Sequence, residues 1–148
     1  MTNPAASGTI TIAEYNDPGF KHVFESKEWA VAIKNYQPLN DLQNLGPFKR
    51  HLLSDEVFIL LEGKCVLLYD DSANQAGTAM VCEPLAKGKV YCIGKGVWHA
   101  TAVSRDVKLI IVEDRNTSKE NTEALQISQQ QIGDLTQRIQ PMLESAES

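Results

Sequence analysis

No stretch of this sequence approaches the roughly 20 consecutive apolar residues that a membrane-spanning helix requires. Basic residues are also few: 14 Lys and Arg stand against 19 Asp and Glu among 148 residues. The first lack argues against a membrane partner. The second leaves a net charge of -5 and a pI near 5.2, with no surface able to track a phosphate backbone, and so argues against nucleic acid. Cysteine is scarce too, since Cys65, Cys82 and Cys92 make an odd count without paired metal-type spacing. The N-terminal stretch MTNPAASGTITIAEY has neither the basic nor the apolar region of a secretory leader, which points to the reducing cytoplasm. At 16.4 kDa the chain fits one domain over residues 1–148, able to bury roughly two thirds of its unfolded surface without disulfide or metal staples.

What the chain does have is many short apolar stretches separated by turn residues. Strands are expected over residues 8–13, 22–25, 28–36, 48–53, 56–62, 64–69, 78–83, 89–93, 97–103 and 107–113. Asn16-Asp17-Pro18-Gly19, Gly63, the polar run 70–77, Gly94-Lys95-Gly96 and Ser104-Arg105-Asp106 punctuate them. Such spacing predicts a sandwich or small barrel, here over about residues 8–113. Residues 114–127 read as a polar loop with a short strand. Ser128-Gln129-Gln130-Gln131 then forms a capping box ahead of Ile132, Leu135, Ile139, Met142 and Leu143 at helical spacing. One amphipathic helix over about residues 129–143 therefore closes the chain, with Pro141 expected to kink or fray its last turn.

Two stretches carry candidate chemistry. In KRHLLSDEVFILLEG, residues 49–63, Glu56, Phe58 and Leu60 share one face of a strand, and His51 lies with Lys49 on one side of the strand before it. A turn or bulge at Ser54-Asp55 lets His51 meet Glu56. In GKVYCIGKGVWHATAV, residues 88–103, a strand enters the Gly94-Lys95-Gly96 turn and the chain returns with His99 beside Trp98. Taken singly, each histidine reads as a surface or satisfied core residue. His22, without partner spacing, reads as an exposed strand residue, Cys65 and Cys92 as small buried hydrophobes, and Trp29, Phe58 and Trp98 as core.

Taken together, the stretches resemble the paired motifs of the cupin superfamily. His51, four residues, Glu56, six residues and Gly63 match the latter part of the first motif. Gly88, five residues, Gly94, one residue, Gly96, two residues and His99 match the second, and 24 residues separate the two. Lys49 stands where the family has its first histidine, Gly94 where it has proline and Val103 where it has asparagine.

The resemblance implies an all-β, cupin-like jelly-roll (double-stranded β-helix) barrel with a C-terminal α-helix. It also implies that His51, Glu56 and His99 point into the barrel mouth. Two imidazoles and a carboxylate suit a divalent ion, Fe, Mn, Ni or Zn, with positions left open for water or a ligand. Lys49 cannot coordinate as an ammonium; it either swings outward or binds an anionic group of the ligand. Two functions follow: a metal-dependent isomerase, lyase or dioxygenase acting on a small polar metabolite, or a metal-free ligand-binding or regulatory module using the same pocket. The resemblance further implies a homodimer, and the sequence adds two reasons of its own: residues 8–15 (GTITIAEY) can extend a partner's sheet, and the apolar stripe of the closing helix must lie on something. If that segment and the helix instead fold back onto their own barrel, the chain is a monomer.

Overall fold

The structure, a computed structural model, describes residues 9–70 and 80–144. Among these, ten strands run in the order β1 (Phe20–Glu25), β2 (Trp29–Asn35), β3 (Phe48–His51), β4 (Glu56–Glu62), β5 (Cys65–Asp70), β6 (Met80–Pro84), β7 (Val90–Ile93), β8 (His99–Val103), β9 (Lys108–Asp114) and β10 (Thr122–Leu125), before helix α1 (Gln129–Glu144). They form two five-stranded antiparallel sheets, ordered β1-β2-β9-β4-β7 and β10-β3-β8-β5-β6. The all-β barrel with a C-terminal helix expected from the sequence is the architecture found. Most of the 70–77 turn lies outside the described residues.

Period-two alternation sorts side chains between the barrel interior and its outside. Phe58 pairs with Ile111, Leu60 with Leu109 and Ala32 with Ile111 across β4, β9 and β2. These residues join Cys65, Leu67, Val103 and Val107 in one interior cluster. Strand β5 is apolar on both faces: Cys65 and Leu67 point inward, while Val66 and Leu68 pack with Phe48 and Ala102 under α1. The helix buries Ile132, Leu135 and Ile139 there. At about 1.5–3 kcal/mol for each fully buried side chain, an upper bound, these three attach α1 by several kcal/mol. Pro141 lies inside α1, which continues to Glu144, and Met142 and Leu143 beyond it pack against the helix-side cluster.

Two glycines set the site's framework. Gly63, between β4 and β5, has φ +70°, and a Cβ there would lie 2.7 Å from Val107 backbone atoms. Only glycine fits both that conformation and that approach. Gly96 has φ +80° in the turn closed by the Val97 N–H to the Gly94 carbonyl at 3.2 Å. Its own N–H donates to the His51 carbonyl at 2.7 Å, and the Lys95 N–H donates to Asp55 Oδ1 at 2.9 Å. The turn before His99 is thereby tied to the strand end that carries His51.

Residues 9–13 form no strand, contrary to the alternation in GTITI. Ile10 and Ile12 are 91% and 89% exposed, so the alternation there does not bury an apolar face as a strand of the barrel would. The following residues are anchored: Asn35 Nδ2 donates to the Tyr15 and Asp17 carbonyls, and Lys108 Nζ donates to the Tyr15 carbonyl and Asn16 Oδ1. Trp29 is half exposed and Cys92 is exposed, so neither belongs to the core.

Candidate metal centre

The site sits where β3, β4 and β8 reach one end of the interior. Glu56 begins the inward row that continues through Phe58 and Leu60, and it is 7% exposed, like His99. Lys49 pairs with His99 across β3 and β8, so the two residues, with His51 two positions on, share one face of that sheet. The donor atoms of His51, Glu56 and His99 lie within 4.8 Å of one another. Glu56 Oε1 is 3.0 Å from His99 Nε2 and 3.4 Å from His51 Nε2.

Hydrogen bonding on the far side of each ring limits what can lie between these atoms. His99 Nδ1 is 2.9 Å from the Val97 carbonyl, which can only accept, so Nδ1 carries the proton. A neutral His99 then turns its Nε2 lone pair toward a carboxylate oxygen. Two acceptors at that distance require a positive species to reconcile them, either a second proton on the ring or a metal ion. His51 Nδ1 is 2.9 Å from Thr122 Oγ1 on β10, a hydroxyl that both donates and accepts, so this contact orients the ring without fixing its tautomer. Ligand atoms at 2.0–2.2 Å from a metal stand about 3–3.5 Å apart, so the donor types and the two spacings to Glu56, 3.0 and 3.4 Å, match those of a divalent ion's ligands.

Electrostatics reinforce the cluster. Burial pushes the Glu56 carboxyl up, but the hydrogen bonds from His51 and His99 outweigh it and hold Glu56 well below the usual carboxylate range. The hydrogen bond to Glu56 raises His51 above its ordinary value, against burial and the Lys49 charge. Glu56 faces Glu113 directly across β4 and β9. Burial and that neighbouring carboxylate push Glu113 up, opposed by His22, whose Nε2 is 2.8 Å from Glu113 Oε2. His22 is therefore a half-buried hydrogen-bond partner of Glu113 and not the exposed strand residue expected.

His51, Glu56 and His99 are brought together, with Lys49 at the same cavity mouth, in an opening of about 470 Å³ also lined by Lys34, Thr101 and Glu113. Sequence reasoning missed Lys34, Glu113 and Thr122. For the first two a signal existed: each is the charged member of an inward row, Ala30-Ala32-Lys34 and Leu109-Ile111-Glu113. Thr122 had none, since its role depends on β10 pairing with β3 in the register Thr122 to His51.

No family model and no curated protein matches the sequence. Solved structures do resemble the fold. A cupin-2 domain containing protein from Shewanella frigidimarina is 22% identical, with a TM-score of 0.51 over 68% of this chain and 85% of that one. Streptomyces Pac13 with uridine is 8% identical, with a TM-score of 0.55 over 78% of this chain and 86% of its own. A variant of Bacillus subtilis oxalate decarboxylase is 14% identical, with a TM-score of 0.52 over 68% of this chain, which spans only 25% of the decarboxylase. No described helix is long and apolar enough to cross a membrane. Identities this low bear on architecture alone, and together with the two antiparallel sheets and the convergence of both motifs at one barrel end they show that the chain has the cupin fold.

Proposed function

We propose that the barrel holds a divalent metal ion, Fe, Mn, Ni or Zn, through His51 Nε2, Glu56 and His99 Nε2, and binds a small polar metabolite beside it. The observation that carries this reading is the convergence of the His51, Glu56 and His99 donor atoms within 4.8 Å of one another at one end of the barrel. A bound ion supplies Lewis acidity and a template for ligand oxygens. The chain's own residues do the rest. Val97 and Thr122 orient the two imidazoles, Phe58 and Leu109 close the cavity on its apolar side, and Glu113, pushed up by burial, is suited to hold or pass a proton next to the centre.

A metal-free binding module is the second reading. The Lys49 charge favours it, since Lys49 pairs directly with His99 and repels a cation, while a proton shared between imidazole and carboxylate satisfies the same geometry. Elemental analysis of protein purified without an affinity tag separates the two. The metal reading expects close to one ion per chain, lost in a folded His51→Ala/His99→Ala double variant, and metal retained in that variant refutes the ligand set.

The protein is further proposed to be a cytoplasmic homodimer. Ile10 and Ile12 extend, exposed, from an anchored base, and β1 is an edge strand able to accept a partner's segment. Light scattering should show a doubled mass that reverts on deleting residues 1–13; a mass near 16 kDa that concentration does not change rejects the dimer.

A further inference from the structure

The cavity contains a second cation that the metal centre does not explain. Lys34 belongs to the inward row of β2, pairing with Leu109 of β9 and Phe20 of β1, and it lines the same 470 Å³ opening as His51, Glu56 and His99. It lies close enough to Lys49 and Glu56 to feel their charges. Among the described residues its ammonium makes no hydrogen bond or ion pair. Lys108 shows the contrast, for its ammonium is held by the Tyr15 carbonyl, Asn16 Oδ1 and Asn35 Oδ1. A lysine partly withdrawn from water beside another lysine, itself exposed at the mouth, is costly unless an anion joins it.

The nearby carboxylates do not fill that role. Glu56 is shared by two imidazoles and Glu113 is engaged by His22. The two ammoniums therefore share a cavity whose carboxylates are already engaged, and a bound divalent ion would add further positive charge. A neutral sugar would leave that charge uncompensated; a carboxylate or phosphate would not. Lys34 and Lys49 lie near each other, and Lys49 pairs with His99, so an anion held between the ammoniums would place its neighbouring atoms toward the centre.

We infer that Lys34 and Lys49 form an anion clamp and that the ligand of this cavity is a small organic anion, carrying a carboxylate or phosphate, of a size suited to a 470 Å³ opening. The inference rests on the reading of the cavity as the ligand site but not on the identity or presence of the metal.

The test is calorimetric titration of the whole protein with malonate, inorganic phosphate and neutral malonamide, with metal content measured on the same samples. Malonate or phosphate should bind and malonamide should not; which anion binds distinguishes a carboxylate from a phosphate ligand. Lys34→Met should weaken that binding at least about tenfold, the scale of a lost charge-assisted contact, while Lys34→Arg keeps most of it and both variants retain wild-type metal content. If the wild type lacks metal but its anion binding still depends on Lys34, the clamp stands and the metal reading falls. If neither anion binds, or Lys34→Met binds as well as the wild type, the clamp is wrong. Should Lys34→Met fail to fold, amine labelling of Lys34 in the wild type decides: protection by the bound anion supports the clamp, and unslowed labelling overturns it.

Discussion

Replacing Glu56 by Gln keeps the shape of the side chain and removes its charge, which separates the roles assigned to this residue. In the metal-free protein, Glu56 lies 3.0 Å from His99 Nε2 and 3.4 Å from His51 Nε2 at 7% exposure. Charge-assisted hydrogen bonds of this kind are worth about 1.5–3 kcal/mol each. Loss of the Glu56 charge also relieves its cross-strand repulsion with Glu113 and the cost of keeping a carboxylate buried, which offsets part of the loss. A net destabilisation of about 1–2 kcal/mol is expected, lowering Tm by about 2–8 °C for a chain of this size. The effect on metal should be far larger. Substitutions behind a ligand already cost about 10–100-fold in affinity, and here the only anionic donor of the set is lost, so Glu56→Gln should weaken binding by more than about 100-fold. Metal at about 100 times its Kd should stabilise the wild type by about 2.7 kcal/mol, or about 5–10 °C, and leave the variant almost unmoved. Differential scanning fluorimetry with and without chelator reads both effects. Metal affinity in Glu56→Gln within a few-fold of wild type refutes the assignment, and a higher Tm in the metal-free variant means that burial and Glu113 repulsion outweigh the imidazole bonds.

Gly63→Ala should cost about 2–4 kcal/mol, because it combines a left-handed φ with an overpacked contact 2.7 Å from Val107; chemical denaturation measures it, and a loss below about 1 kcal/mol contradicts the close approach. The His51 pKa is raised from its ordinary 6.5 by Glu56, so its contribution to stability is fully present below pH 6.5 and is lost as pH rises through the folded-state value. The raised Glu113 carboxyl acts with the same sign from 4.5 upward, so the comparison is with His51→Gln: the metal-free wild type should lose Tm more steeply above pH 6.5, and equal slopes exclude the His51 contribution. Lys49→His should tighten metal binding at least tenfold by adding an imidazole opposite His99 and removing a repelling charge, on the order of 1.4 kcal/mol or more; unchanged affinity in a titration with Zn(II) shows that the ammonium already points away from the centre.

Local pattern in the sequence was enough to place most strands and the closing helix, while the resemblance to the cupin motifs nominated His51, Glu56 and His99, whose donor atoms the structure brings within 4.8 Å of one another. Alternation, turn glycines and motif spacing act over a few residues, and each is written in the chain itself. Local pattern also misled: GTITI alternates like a strand, yet residues 9–13 form none, because an edge to pair with is not a property of the segment. The trio's surroundings were decided by tertiary structure. Glu113 meets Glu56, Thr122 meets His51 and Lys49 meets His99 only through the pairing of β9 with β4, β10 with β3 and β8 with β3. Lys34 enters the same cavity because β2 pairs with β9 in a register that turns Lys34 inward beside Leu109. A slip of one residue in any of these ladders would send the side chain to the opposite face. Register depends on packing the whole interior between two sheets, so residue type alone could nominate ligands for the site but could not say which charges would be buried beside them.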